Sequence, residues 1–131
     1  MPNEWVQQKS EPFSVKARLK SFAFAWNGVK TFFNKEHNAQ LHLASTIIVV
    51  TLAFFFRISA IETLFLVFAI GFVWVAEMIN TAIEKIMDFI TIEKHEQIKF
   101  IKDVAAGAVL VASLIACVIG AIIFIPKLLL L

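Results

Sequence analysis

Four polar side chains recur at helical spacing inside a segment that is otherwise apolar. Glu77, Asn80, Glu84 and Asp88 follow one another at steps of three, four and four residues. At 100° per residue they fall within a strip about 80° wide on one face of a helix. An ionised acid at the centre of a membrane helix costs roughly 2.5–3.5 kcal/mol to insert, so such residues usually have a function. We therefore expect this polar strip to carry the chemistry of the protein.

The charges of the strip favour a bound cation. A polar contact between helices would account for Asn80 alone, but three acids on one face repel one another unless a cation neutralises them. Mg²⁺ prefers one or two carboxylates together with phosphate oxygens. Glu36, Lys102 and Asp103 precede two other apolar segments. Each of these residues alone would be an ordinary interfacial anchor. If they lie on the same side of a membrane as Glu84, however, they can converge with it. Lys102 can then meet a phosphate as a point charge.

The composition indicates that a membrane surrounds this strip. Of 131 residues, 60% are hydrophobic and 17% are charged, with a mean hydropathy of +0.81, whereas soluble domains are about half apolar and a quarter charged. The length fits a single domain. The net charge of +2 gives no argument for nucleic acid, and the single Cys117 excludes a disulfide framework. The sequence also contains no glycine-rich phosphate loop or dinucleotide fingerprint.

Three apolar runs predict three transmembrane helices, at 39–56, 61–75 and 104–125. About 20 residues are needed to cross ~30 Å of hydrocarbon. The second run reaches this length only if it continues through Asn80, which places Glu77 at membrane depth. Glu84 then lies near the membrane boundary, about 10 Å away along the helix axis.

Residues 14–33 predict an amphipathic surface helix with Ser14 as its N-cap. Its apolar positions recur at steps of four and three residues: Val15, Leu19, Phe22, Trp26, Val29 and Phe33. Lysines gather on the opposite face, as is typical of helices that lie on a membrane surface. Packing against a partner subunit is the alternative.

The distribution of lysine and arginine predicts the orientation. Ten of the twelve, among them Lys9 and Lys94, lie before the first run or between the second and third. This places the N-terminus and the 85–103 connection in the cytoplasm, with 57–60 as an outer turn. The expected organisation is one domain with a cytoplasmic region (1–37), three spans (38–125) and an outer tail (126–131). No signal peptide is expected in the first 38 residues.

Two further patterns have structural interpretations. Ala108, Ala112, Ala116 and Gly120 recur every four residues, a surface for close helix packing. His42 lies one turn into the first run without a second ligand at metal-binding spacing, which favours an interfacial hydrogen bond over zinc.

The strings that contain these residues resemble the small prokaryotic diacylglycerol kinase family, which includes the undecaprenol kinases. The specific matches are EMINTAIEKIMD at 77–88 and KDVAAGAVL at 102–110. RLKSF at 18–22, AWNG at 25–28 and EHN at 36–38 also fit. The resemblance extends over nearly all of the chain from about residue 15 to residue 120.

The resemblance implies an all-α homotrimer in the bacterial cytoplasmic membrane, with sites shared between neighbouring subunits. Such enzymes transfer the γ-phosphate of Mg-ATP to a lipid hydroxyl at the cytoplasmic face. By matching motifs, Glu77 is the general base and Asn80 positions the base or the substrate. Glu36 and Glu84 hold the metal ions that bridge the ATP phosphates.

The resemblance also implies which residues contact the two substrates. The nucleotide contacts are Phe24, Glu36, Glu84, Glu93, His95, Lys102 and Asp103, and the lipid contacts are Arg18, Trp26 and Glu77. Phe24 stands where family members often carry tyrosine, and Gln40 where they often carry arginine. These departures leave the catalytic acids intact.

The acceptor and the function class have alternatives. The Ala-Ala-Gly-Ala string after Asp103 resembles the undecaprenol kinase branch, so undecaprenol is favoured and diacylglycerol comes second. A cation-coupled transporter would use Glu77 as a proton carrier without hydrolysing ATP. A non-catalytic membrane adaptor would tolerate Glu77→Gln.

Overall fold

The chain folds into helices joined by short connections. A computed structural model describes residues 13–90, 93 and 95–130. Within these residues the secondary structure consists of four helices and no strand: α1 (Val15–Lys35), α2 (His37–Phe55), α3 (Ala60–Ile90) and α4 (Glu96–Leu128). The last three are long and apolar enough to cross a membrane. The predicted all-α fold with three spans and a preceding helix is confirmed.

Two of the spans are longer than the apolar runs that predicted them. α3 continues to Ile90, and α4 already begins at Glu96. The 31 residues of α3 extend about 46 Å, more than the ~30 Å of hydrocarbon. The polar strip therefore lies on one unbroken helix, and α3 and α4 together include most of the connection expected at 85–103. Lys9 and Lys94, which entered the charge count, lie outside the described residues.

Side-chain caps define where the helices begin. The Ser14 hydroxyl accepts a hydrogen bond from the backbone N–H of Ala17 at 3.4 Å, which confirms the predicted N-cap of α1. At the start of α3, the Ser59 N–H donates to Glu62 Oε2 at 2.7 Å and the Glu62 N–H donates to Ser59 Oγ at 3.3 Å. This reciprocal pair is a capping box. It separates α3 from α2 at the predicted 57–60 turn.

α3 and α4 form the most extensive helix pair. Ala112 is completely buried and Ala105 is nearly so, because small side chains let two helix backbones approach closely. At the 57–60 end, Leu66 packs with Ile123 and Phe124. Lys127 Nζ lies 2.9 Å from Glu62 Oε1 and closes this end of the pair with an ion pair.

α1 is exposed over most of its length but attached to α3 at its C-terminal end. Phe22 and Trp26 are 75% and 69% exposed. Phe32 and Phe33, in contrast, pack against Trp74 of α3, with ring centroids 6.2 and 4.7 Å apart. This aromatic contact brings the α1–α2 junction, and with it Glu36, beside α3.

Candidate active site

Glu77 and Asn80 are the buried polar residues of the described chain. Their relative exposures are 2% and 5%. Both lie on the predicted strip of α3, and both are enclosed by the subunit's own helices. Burying such groups is unfavourable unless partners compensate for the lost water. The partners of each group therefore indicate what the site is built to do.

The Glu77 carboxylate faces His42 of α2, with 3.9 Å between His42 Nε2 and Glu77 Oε2. The two residues are far apart in sequence, so spacing alone gave no reason to connect them. The signal that was available was a histidine one turn into an apolar span, which the sequence analysis assigned only to interfacial hydrogen bonding.

A hydrogen-bond chain holds His42 against α3. The indole Nε1–H of Trp74 donates to Thr46 Oγ1 at 3.2 Å, and the Thr46 hydroxyl donates to the His42 carbonyl oxygen at 2.8 Å. The His42 ring also meets the Trp74 ring edge-on, with centroids 6.2 Å apart. Because Trp74 lies one turn before Glu77, these contacts place the imidazole at the level of the buried carboxylate.

Asn80 connects the buried end of the strip to its outer half. Its Nδ2 donates to Glu84 Oε1 at 3.2 Å, which orients the Glu84 carboxylate. Its Oδ1 is buried without a hydrogen-bond partner among the described residues. Buried acceptors are nearly always satisfied, so this oxygen lacks a partner that the described residues do not supply.

Glu36 lies at the same level as Glu84. Lys85 Nζ is 3.0 Å from Glu36 Oε1, and Lys85 directly follows Glu84 on α3. The Glu36 carboxylate thus already faces a cation. Among the described side chains, no three acids, histidines or cysteines are grouped to hold a metal by themselves. A pair of carboxylates fits Mg²⁺ that takes its remaining ligands from phosphate and water.

Several residues expected at the nucleotide form ion pairs or hydrogen bonds with neighbouring residues. Lys102 Nζ lies 2.9 Å from Asp88 Oδ1, and Lys99 Nζ lies 2.5 Å from Asp103 Oδ2. His95 caps α4 by accepting the Gln97 N–H at Nδ1, 3.3 Å away. Lys102 therefore neutralises the last acid of the strip, a function that the sequence analysis assigned to a metal alone.

Two of the three residues expected at the lipid, Arg18 and Trp26, lie on the exposed surface of α1. Arg18 lies over the Phe13 ring and Lys20 over the Phe24 ring, with cation-to-centroid distances of 5.7 and 5.8 Å. Trp26 is exposed. Gln40, at the second departure from the family pattern, is also exposed. These α1 residues form a surface separate from the buried Glu77.

A cavity of about 320 Å³ begins at His42 and extends between α2, α3 and α4. Its wall is mainly apolar and includes Trp74, Val73, Leu66 and Phe124. A few polar groups also line it: His42, Ser45, Thr46, Ser113 and Cys117.

Three membrane-length helices with a buried carboxylate, and further acids toward one end of α3, define a small integral membrane protein with an acidic candidate site. Comparison with protein families specifies the class: residues 23–124 match prokaryotic diacylglycerol kinase. The chain belongs to this family of lipid kinases, as its motifs predicted.

Individual relatives support the assignment. The chain is 41% identical to the undecaprenol kinase of Bacillus subtilis over 110 residues, which cover 84% of this chain and 89% of the relative. It is 36% identical to the diacylglycerol kinase of Synechocystis over 112 residues, 85% of this chain and 64% of that protein. The diacylglycerol kinase of Escherichia coli K12 is 27% identical over 100 residues, 76% of this chain and 82% of that protein.

Proposed function

We propose that the protein transfers the γ-phosphate of Mg-ATP to the terminal hydroxyl of undecaprenol. The observation that carries the reaction is the buried Glu77 carboxylate on the same helix face as Glu84, with Glu36 beside the next turn. The acceptor follows from the 41% identity to an undecaprenol kinase. The relatives at 36% and 27% are diacylglycerol kinases, so diacylglycerol is the second candidate.

Glu77 acts on the lipid hydroxyl. A lipid alcohol lies just below the headgroups, which is the depth of Glu77 on α3. Its carboxylate accepts the hydroxyl proton as the oxygen attacks the γ-phosphorus and the bond to ADP breaks. Asn80 Oδ1, which has no described partner, is placed to accept a hydrogen bond from the substrate.

Glu36 and Glu84 would hold Mg²⁺ at the wetter end of the strip. When bound, the ion neutralises the charge of the ATP phosphates. Lys85 has to leave Glu36 for this to happen, and its ammonium is then free to approach a phosphate. Lys102 and Asp103 would likewise exchange their present ion pairs for the nucleotide.

The remaining site residues are assigned to the two substrates, the nucleotide and the lipid. We assign Glu93, His95 and Phe24 to the nucleotide, and Arg18 and Trp26 to the lipid. The assignment to the lipid is supported by the exposure of α1 and by its attachment beside the site through Phe32 and Phe33.

We propose further that the protein is a homotrimer in the bacterial cytoplasmic membrane, with its N-terminus and the α3–α4 connection in the cytoplasm. The basic residues on α1, and Lys99 and Lys102 on α4, support this orientation. The trimer rests on the family alone. The mass of the purified protein in detergent, corrected for bound detergent, tests it.

The proposed reaction is tested with purified protein, labelled ATP and Mg²⁺ in mixed micelles that contain either undecaprenol or diacylglycerol. Micelles without an acceptor are the control. Undecaprenyl phosphate as the main labelled product supports the proposal. Phosphatidic acid as the main product is consistent with the kinase mechanism but makes diacylglycerol the acceptor instead of undecaprenol. Folded protein that labels neither lipid contradicts the proposed reaction.

A further inference from the structure

We infer that His42 carries the proton away from Glu77 in each catalytic cycle, and that it also positions the Glu77 carboxylate. This inference rests on the proposed function, because it concerns the base of that reaction. It identifies a residue on α2 that acts through Glu77 and does not itself react with the lipid.

The need for such a residue follows from the proton balance. In one turnover the lipid O–H bond breaks, a new oxygen–phosphorus bond forms, and the bond between the γ-phosphorus and ADP breaks. The hydroxyl proton is then on Glu77. Since Glu77 is only 2% exposed, water has almost no access to it. The carboxylate must lose this proton before the next lipid can react.

The geometry provides one route among the described residues. His42 Nε2 lies 3.9 Å from Glu77 Oε2, and the His42 side chain is 27% exposed whereas that of Glu77 is 2% exposed. The imidazole thus faces the buried acid on one side and borders the cavity between α2, α3 and α4 on the other. A side-chain shift of about 1 Å brings the two atoms to hydrogen-bond distance. Imidazole changes protonation near neutral pH, and its two nitrogens allow it to take a proton on one side and release it from the other.

The surroundings of His42 favour transfer over a permanent ion pair. The ionisable groups that face it in the described chain are Glu77 on α3 and Cys117 on α4, which lines the same cavity. On α2 itself, Ser45 and Thr46 line that cavity, and Trp74 covers one edge of the ring. No described lysine or arginine lies within 4 Å of Glu77 to hold it permanently ionised.

The test compares His42→Gln with His37→Gln, a matched change of an exposed histidine on the same helix. In the lipid kinase assay we expect H42Q to lower kcat about tenfold or more, with the KM for ATP within about twofold of wild type. Added imidazole, which can enter the cavity beside position 42, should restore part of the lost rate. H37Q should keep the wild-type rate.

A purely structural role for His42 gives a different pattern. The loss in H42Q would then be insensitive to imidazole, and this result, or a wild-type kcat, overturns the inference while leaving the kinase reaction intact. If the wild-type protein phosphorylates no lipid, the proposed function itself fails.

A second measurement does not depend on the folding of H42Q. In protein labelled with ¹⁵N-histidine, the ring signals are compared at one pH in wild type and in Glu77→Gln. The inference predicts that the ring signals of one histidine move when the Glu77 carboxylate is replaced. Ring signals that are identical in the two proteins contradict contact between His42 and Glu77.

Discussion

At the scale of single residues, the site depends on which partner each acid of the polar strip of α3 has. Glu77 faces His42, Glu84 accepts from Asn80, and Asp88 binds Lys102. Each acid therefore has a different partner, and the accessibility of the acids rises from the buried Glu77 to the exposed Asp88. A gradient of this kind suits a reaction that joins a membrane alcohol to a water-soluble nucleotide.

The first residue-scale prediction concerns the base. Glu77→Gln keeps the size and hydrogen-bonding capacity of the side chain but cannot accept a proton, so we expect kcat to fall about 10²–10⁴-fold. Binding of ATP, measured by equilibrium dialysis, should stay within about twofold of wild type. Glu62→Gln, at the opposite end of α3, is the matched control and should retain activity. Wild-type turnover by E77Q would remove Glu77 from the role of base.

The second residue-scale prediction concerns the metal. Glu84→Gln should raise the Mg²⁺ concentration needed for half-maximal ATP binding by about 10–100-fold, because it removes one of two carboxylate ligands. Glu36→Gln should have a similar effect. Glu96→Gln, an exposed acid at the start of α4, should have none. An unchanged Mg²⁺ dependence in E84Q would exclude Glu84 as a ligand, whatever its effect on turnover.

At the scale of the helices, local patterns predicted which elements form but not where they end. The apolar runs and the periodicity of 14–33 are local properties, so α1 and the three spans were predictable. Hydropathy records only the part of a helix inside hydrocarbon, whereas α3 and α4 remain helical through charged residues as far as Ile90 and Glu96. The connection expected between the spans is largely helical for this reason.

The candidate site likewise has one part that was predictable from the sequence and one part that was not. The polar strip lies on one element, and its periodicity was readable from spacing. The pairs His42–Glu77 and Glu36–Lys85 join different helices, and they depend on how Trp74 and the end of α1 pack. Tertiary packing of this kind leaves no spacing signal in a single sequence.

The prediction at this scale tests the α3–α4 pair. Ala112 is completely buried, so Ala112→Leu adds volume where the helix backbones meet and should lower the free energy of unfolding by about 1–3 kcal/mol. Ala106→Leu, at an exposed position of the same helix, should change it by less than about 0.5 kcal/mol. Unfolding in mixed detergent, followed by circular dichroism, measures both. Equal stability of the two variants would mean that the small residues do not determine the packing.

At the scale of the whole molecule, the subunit keeps most of its apolar surface outside. Large side chains such as Phe68, Phe89 and Ile122 are more than two-thirds exposed, whereas the polar Glu77 and Asn80 are buried between the helices. Lipid tails, and in the proposed trimer neighbouring subunits, cover such a surface. The two buried residues of the proposed site therefore lie inside the helix bundle, whereas the apolar exterior suits contact with the membrane.

The prediction for the whole molecule is its sidedness, which decides whether the site can reach ATP. In a Cys117→Ala background, we expect Leu130→Cys to react with a membrane-impermeant maleimide in right-side-out vesicles. Gln97→Cys should react only after the vesicles are permeabilised, because it lies at the α3–α4 connection beside the nucleotide residues. Both positions are exposed in the fold, so their difference reports the membrane and not burial. The cysteine-free background should stay unlabelled in either condition. The reverse pattern would place Glu36 and Glu84 on the side that lacks ATP, and it would contradict both the orientation derived from the basic residues and the kinase reaction at this site.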